Sequence, residues 1–497
     1  MTKIIRNKII LTAILFITIF TVSAYSVERK YIPNTAGAIF SFNLDSLSKK
    51  ADSDLQQIFN SAFMQRLADS FLESRDDEKV AEIMTNRLAQ LFDFSKDSKI
   101  IFLNDYGQLA VIIDILNIEE LDKLMIKIAS QEDKLISFSE TVNYRYLRLD
   151  ENTLISWNNE VFTVSLRGLF FEDNDNIIYS AENIFKGNEL ENEYFISLEN
   201  ETNDFYAWVD LSFLSEEDSS LYKLLLELSG DIPNNVKDIY KDGVLTGKIN
   251  FNDGEADMVF DTHLPNNDYD ISSLKKVLSE NIFNFVNGQN NYGFLSFSFD
   301  SLALAKIMEN IDFGSIFNYE ISSQLEKLGV NSSAFFELLG GDIFASAWDT
   351  PEETTAVLFS ISLKDEAKVK NILEALAEER EDDIYIIEGD YYYIKDSILY
   401  IVNEETVINS IVKGEIPSSK LDEDKLKLAK ENMFSFYFEF DIANLGLLFG
   451  LDALEDFKSI YLTSNILDNN HTQTVIKWEI KDKTKNFLTV IKSLIEN

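Results

Sequence analysis

Residues alternate between apolar and polar along Phe40-Ser41-Phe42-Asn43-Leu44, and again along Leu295-Ser296-Phe297-Ser298-Phe299. A period of two predicts strands with one face inside. Both runs end in Asp-Ser-Leu, at Asp45-Ser46-Leu47 and Asp300-Ser301-Leu302, and lead into helical pattern. A longer period follows two further apolar strands. Leu121, Leu124, Met125 and Ile128 come after Ala110-Val111-Ile112-Ile113; Val369, Ile372, Leu373 and Leu376 come after Ala356-Val357-Leu358-Phe359. Spacing of i, i+3, i+4, i+7 places each set on one helix face. Asn117 with Glu120 three residues on predicts a capping pair for the first of these helices. Helices on Leu55, Ile58, Phe59, Ala62, Phe63 and on Val80, Ile83, Met84, Leu91 are expected to cover one face of the first sheet. The alternation Lys248-Ile249-Asn250-Phe251 predicts a solvated opposite face.

These elements recur in the same order, which predicts an internal repeat. A hairpin from Tyr144-Arg145-Tyr146 to Trp157-Asn158-Asn159-Glu160 is matched with Tyr391-Tyr392-Tyr393 to Ile401-Val402-Asn403-Glu404. Phe205-Tyr206-Ala207-Trp208 is matched with Phe436-Tyr437-Phe438-Glu439. A turn at Asn252-Asp253-Gly254 is matched with one at Asp468-Asn469-Asn470, and Asp-Gly between alternating apolar residues is a strong hairpin signal. A closing helix carries Leu274, Val277 and Leu278 in one half, and Phe487, Val490, Ile491 and Leu494 in the other. The expected fold class is α+β: two diverged tandem copies of a module, residues 27–287 and 288–497, with mainly antiparallel sheets covered by helices. The boundary falls in the polar stretch Asn287-Gly288-Gln289-Asn290-Asn291.

The start of the chain is of another kind. Lys3, Arg6 and Lys8 precede an uncharged apolar run from Ile9 to Val22, and Val22-Ser23-Ala24 ends it with small residues. This is the three-part secretory pattern, so residues 1–24 read as a signal peptide cleaved after Ala24. The run is shorter than the roughly 20 residues that span a bilayer. The expected location is therefore periplasmic or secreted, with an uncleaved inner-membrane anchor as the alternative.

Composition narrows the chemistry. The chain has 497 residues, 45% of them hydrophobic, enough for more than one packed core. A net charge of −41 argues against nucleic acid, whose phosphates are held by Lys and Arg. A strongly acidic surface also keeps copies of the chain apart in solution. The absence of cysteine removes disulfides, thiol nucleophiles and zinc–thiolate sites, as well as the lipidated cysteine of bacterial lipoproteins.

Candidate motifs mostly fail on their own terms. His263 is expected in a strand and His471 in a hairpin turn, both on the surface and neither repeated. Gly243-Val244-Leu245-Thr246-Gly247-Lys248 falls one residue short of a phosphate loop, and Ile249 stands where magnesium needs Ser or Thr. Ser46-x-x-Lys49 and Ser273-x-x-Lys276 lack the companion motifs of penicillin-binding enzymes. Glu172-Asp173-Asn174-Asp175-Asn176 crowds oxygen ligands but lacks the turn glycine and distal glutamate of a calcium loop. Leu339-Gly340-Gly341-Asp342 is expected to turn a helix end into a strand. The aromatic runs Tyr391-Tyr392-Tyr393 and Phe436-Tyr437-Phe438 read as cross-strand packing. No catalytic, cofactor-binding or metal residue is singled out.

The opening Tyr31-Ile32-Pro33-Asn34-Thr35-Ala36-Gly37-Ala38-Ile39, the strand ending at Asp45-Ser46-Leu47 and the Leu-Gly-Gly-Asp segment together resemble exported bacterial proteins, common in Bacteroidetes, grouped as domains of unknown function. Many of those carry a lipoprotein cysteine, which this chain lacks. The resemblance implies export and supplies no catalytic residue. The expected role is a non-enzymatic envelope protein that binds a protein partner or an apolar ligand. The alternatives are a periplasmic carrier of lipid or another apolar ligand, and a carboxylate-dependent hydrolase of envelope polymers.

Overall fold

The structure is a computed structural model, and it describes residues 28–42, 44–52, 91–93, 96–103, 108–131, 137–148, 153–167, 177–186, 189–214, 238–266, 270–310, 337–351, 354–440 and 456–496. The leader with Ala24, the helical patterns on residues 55–63 and 80–84, and the acidic stretch 172–176 lie outside the described residues.

The first elements in chain order are β1 (Ala36–Phe42), α1 (Leu44–Lys50), β2 (Ser98–Leu103), β3 (Gln108–Asp114), α2 (Ile118–Gln131), β4 (Ser137–Glu140), β5 (Arg145–Arg148) and β6 (Thr153–Trp157). Next come β7 (Val161–Arg167), α3 (Ile178–Phe185), α4 (Glu193–Glu199), β8 (Phe205–Asp210), β9 (Val244–Asn252) and β10 (Glu255–His263). The chain continues with β11 (Asn291–Ser298), α5 (Ser301–Asn310), β12 (Leu339–Asp349), β13 (Thr355–Leu363), α6 (Glu366–Leu376), β14 (Glu379–Glu381) and β15 (Ile384–Ile387). It ends with β16 (Asp390–Lys395), β17 (Ile398–Val402), α7 (Glu405–Lys413), α8 (Glu423–Glu431), β18 (Phe434–Glu439), β19 (Phe457–Ile466), β20 (His471–Ile480) and α9 (Phe487–Glu496).

Two compact units form. The first takes residues up to 232, 240–260 and 482–497; the second takes 233–239 and 261–481. Neither is contiguous: α9, last in sequence, completes the first unit, and the division at residues 260 and 261 falls inside β10. In the first unit the strands run β4-β5-β6-β7-β3-β2-β1-β8-β9-β10 across an antiparallel sheet. In the second the order is β14-β15-β16-β17-β13-β12-β11-β18-β19-β20, again antiparallel. Adding ten to each label of the first order gives the second.

Central strands of the first sheet are buried on both faces, and β6 is buried at every residue. Ala181 and Ile184 of α3, with Phe195 and Leu198 of α4, close one face over Ile39, Ile101, Ile112 and Trp208. Leu121 and Met125 of α2 close the other over Val111, Ile155, Trp157 and Val164. The solvated face expected from alternation is thus confined to the outer strands. Each such side chain contributes about 1.5–3 kcal/mol relative to exposure. In the second unit α7 and α8 cover Phe294, Phe344, Leu358 and Tyr400, while α6 packs Val369 and Leu373 on Tyr385 and Leu399. Leu376, expected on that face, is 45% exposed because the helix ends there. Tyr391 and Tyr393 join one core of β16 and Tyr392 the other, so this aromatic run is packing.

Several local expectations hold. Asn117 accepts from the Glu120 backbone N–H at 3.2 Å. Residues 244–252 form a strand rather than a phosphate loop. Gly254 turns β9 into β10 at φ +82°. Gly341 has φ +89°, and a Cβ there would sit 1.8 Å from the Phe299 carbonyl oxygen.

Others are corrected. The segment with Leu274, Val277 and Leu278 is not an α-helix. It makes 3-10 turns at Ile271–Leu274 and Glu280–Phe283, because Lys275 is extended and bridges to Phe299. Tyr144-Arg145-Tyr146 leads into β5, whereas Tyr391–Tyr393 lie in β16, whose counterpart by pairing order is β6. Consecutive hairpins alternate with the same period, so residue type alone cannot tell them apart.

The register of β8 and β18 also moves by two. Asn250 accepts from the Asp204 N–H at 3.1 Å and donates to the Asn203 side chain at 3.2 Å. Asn465 accepts from the Met433 N–H at 2.9 Å and donates to Asn432 at 2.5 Å. Phe205 therefore corresponds to Phe434, and the match of Phe205 with Phe436 is out of phase.

Candidate functional site

In the first unit Ser41 of β1 lies between Lys99 of β2 and Tyr206 of β8. Strand alternation points these three toward α4, which supplies Glu199 and Phe195. The fully buried Lys99 ammonium donates to the Glu199 carboxylate and lies 5.4 Å from the Phe195 ring centre. Burial pulls the Lys99 pKa down, but Tyr206 and Glu199 beside it outweigh burial and raise it. Burial pushes the Asp97 carboxyl up to about 6, against the pull of Lys99. These are groups suited to proton transfer, yet Ser41 and Lys99 expose no surface. A substrate cannot reach them, and the cluster serves as a buried, neutralised polar knot.

The second unit fills the same lattice differently. Both β1–β2 and β11–β12 carry a bulge near their start, between Ala36 and Ala38 and between Asn291 and Gly293. In that phase Ser296 lies between Phe344 and Ser435, so phenylalanine occupies the place of Lys99. Phe344 packs edge-on against Phe283 at 4.8 Å. Asp342 of Leu-Gly-Gly-Asp takes the place of Asp97. It is buried, pairs with Lys276 at 2.8 Å, and accepts from Ser279 at 2.6 Å and Ser298 at 3.0 Å. The glycines before it thus do more than turn the chain: Lys276 also donates to the Gly340 carbonyl at 2.6 Å.

Both histidines belong to the second unit, and they are partly exposed neighbours rather than separate residues. His471 begins β20, and its ring stacks on His263 with centres 4.2 Å apart. His471 Nε2 lies 2.8 Å from an Asp261 oxygen that also accepts from Gln473. The signal missed was cross-strand adjacency, which a register would have supplied. Ser46 and Ser273 are not nucleophiles beside their lysines: Ser46 donates to Asp204 at 2.6 Å and Ser273 to the Asp270 carbonyl at 2.6 Å. No group of three or more metal-ligating side chains occurs among the described residues.

An open groove of about 880 Å³ lies within the second unit. Lys275 and Lys276 come from the segment after β10, Lys427 and Lys430 from α8, and their neighbours along the groove are Glu423 and Glu431. Four lysines meet two glutamates of the lining, and Asp342 and Glu280 engage two of the lysines, so charge is balanced here in a chain with 85 acidic and 44 basic residues. Lys276 is tied to Asp342, and Lys430 pairs with Glu280 at 2.9 Å. Lys275 donates to the Leu467 carbonyl at 2.7 Å, so a backbone dipole holds it in place. Between the lysines lie Val277, Leu426, Met433, Ile466 and Leu467. Val277 is 75% and Leu467 43% exposed. The size falls in the range of about 300–1,000 Å³ typical of small-ligand sites. Sequence reading missed the groove because its two pairs of lysines lie far apart in the chain and its apolar wall comes partly from strand ends.

No family model matches the chain. Two crystal forms of TP0453 are weakly similar: one has a TM-score of 0.29 at 8% identity, covering 47% of this chain and 79% of that chain. The other has a TM-score of 0.28 at 11% identity, covering 49% and 81%. An uncharacterised protein from the 5′ region of tlyA in Brachyspira hyodysenteriae is 48% identical over 145 residues, which span 29% of this chain and 95% of that protein. With so much of that relative matched at such identity, the chain belongs to the family of this uncharacterised Brachyspira protein.

Proposed function

We propose that this chain is an exported envelope protein, built as two diverged tandem copies of one α+β module, that works by binding rather than by catalysis. The duplication reading rests on the shared strand order, the bulge at the same point of β1–β2 and β11–β12, and the paired asparagines Asn203–Asn250 and Asn432–Asn465. Chance agreement in residue type does not reproduce three matching hydrogen-bonded details. Export rests on the leader pattern ending at Ala24.

The observation that carries the binding reading is the groove of the second unit. A groove where lysines balance carboxylates and apolar side chains stay exposed differs from the strongly anionic remainder of the chain. The buried Ser41 and Lys99 sit instead where no substrate reaches. The carrier role is the second reading, favoured by the exposed apolar side chains in that groove.

Native mass spectrometry of protein purified from its own envelope tests these readings. The expected result is a chain of residues 25–497 carrying an added mass that is released on denaturation. A Lys275→Glu/Lys427→Glu variant is expected to lose that mass. An identical added mass on the variant would remove the groove from consideration.

A further inference from the structure

We infer that Lys99 and Glu199 of the first unit condense after folding into an amide cross-link between their side chains, with Asp97 relaying protons. The inference concerns the buried cluster and stands apart from the groove. Enclosure keeps outside substrates away, but a bond between two residues of the cluster needs none.

Proximity and surroundings carry the argument. Lys99 Nζ donates to Glu199 Oε1, so the nucleophile and the carbonyl carbon it attacks are already held together. The Phe195 and Tyr206 ring centres lie 5.4 and 5.8 Å from Nζ, and Lys99 exposes no surface. An ammonium has no lone pair and must first lose a proton. Passing that proton to a carboxylate turns the charged pair into amine and acid, and an apolar shell favours the uncharged pair more than water does. Nζ then adds to Glu199 Cδ: a C–N bond forms, the C–Oε1 bond breaks, and Oε1 departs as water with two of the three ammonium protons. One positive and one negative charge vanish from the core, and no co-reactant is consumed. Asp97, two residues before Lys99, interacts electrostatically with both partners. Burial keeps part of its carboxyl protonated near neutral pH, so it can take a proton from Nζ and give one to Oε1. Arg29 Nε, 3.9 Å from Glu199 Oε2, offsets the charge that gathers on that oxygen as Nζ adds.

Other close pairs lack this enclosure. Lys50 reaches buried Asp204 at 2.7 Å and Lys276 reaches buried Asp342 at 2.8 Å, but these lysines are 28% and 29% exposed and keep their ammonium hydrated. Among the described ion pairs, Lys99 is the one lysine whose side chain is fully buried. In the second unit Phe344 stands in its place, so the bond belongs to the first unit alone.

The test is peptide mapping by mass spectrometry of the denatured full chain, after incubation at neutral pH. Trypsin should release residues 97–123 and 187–223 as one linked species, lighter than the two peptides together by the mass of one water. Fragmentation should place the link between Lys99 and Glu199, and peptides holding Lys50 and Lys276 should be unlinked. Lys99→Met and Glu199→Ala should abolish the species. Asp97→Asn, which keeps both reacting groups, should slow its accumulation roughly tenfold or more. Far-UV circular dichroism verifies that each variant is folded. The central result needs no variant: wild-type chain that is cut after Lys99 and yields residues 187–223 unlinked overturns the inference. A link that persists in Lys99→Met overturns it as well, and accumulation at the wild-type rate in Asp97→Asn overturns the proton relay.

Discussion

Lys99 shows what a single side chain costs when the fold encloses it. Its ammonium is fully buried and compensated by Glu199, with Phe195 and Tyr206 completing the shell. Lys99→Met strands the Glu199 carboxylate and should destabilise the first unit by about 3–5 kcal/mol. Adding Glu199→Gln should recover a substantial part, as read from urea-unfolding midpoints; a double variant no better than the single one would mean the pair is not the source. Asp97 gives the same cluster a pH dependence. Its carboxyl is pushed up to about 6, above its ordinary value, so the folded state holds the proton more tightly than the unfolded state. The stability linked to this group is complete below about pH 4 and is lost as pH rises through 6. The size is at most about 3 kcal/mol. Asp114, likewise raised by burial to about 6, adds a similar slope. Asp97→Asn should therefore reduce, without abolishing, the fall in unfolding midpoint between pH 4 and pH 8. An unchanged slope would exclude Asp97 as its source.

At the scale of elements, the two asparagine clamps tie strand starts to neighbouring strands in the same way. Asn250→Ala should cost the first unit about 1–3 kcal/mol, and Asn465→Ala should cost the second a similar amount. Amide hydrogen exchange can localise each loss; deprotection of β8–β9 by the first variant and β18–β19 by the second is the expected pattern. Much of this layer was legible beforehand. Periodicity located β1, β11, α2 and α6, and Asp-Gly located the β9–β10 turn. What failed were comparisons between the two halves of the chain, since a shift of two residues preserves every inward and outward position. Only the bulges and the asparagine bonds fix the phase. The segment after β10 was misread for a related reason: Leu274, Val277 and Leu278 have helical spacing, but the Lys275–Phe299 bridge takes the backbone out of the helix. The groove was illegible because nothing in one stretch of sequence reveals which distant lysines converge.

On the scale of the whole molecule, the closing segments matter most. In the first unit Thr489 of α9 donates to the Lys50 carbonyl at 2.8 Å, and Phe487 stacks on Phe251 with ring centres 6.2 Å apart. Asn486 donates to the Phe251 carbonyl at 3.1 Å, and Gly254 donates to the Lys485 carbonyl at 2.8 Å. Deleting residues 482–497 should therefore loosen the first unit, although the deletion lies at the other end of the sequence. Limited proteolysis is expected to cut first within residues 44–52 and 244–260. Cleavage that begins in β18–β20 instead would contradict the division into units.

That membership also sets a timetable. A ribosome makes residues 482–496 after β1 to β20, so the helix that completes the first unit does not exist until both sheets have been made. Throughout synthesis the N-terminal half lacks a covering element, and its Phe251 and Lys50 contacts stay unmade. The first unit therefore cannot set while the second is still being made. The instruction to close the first unit is written beyond the whole of the second.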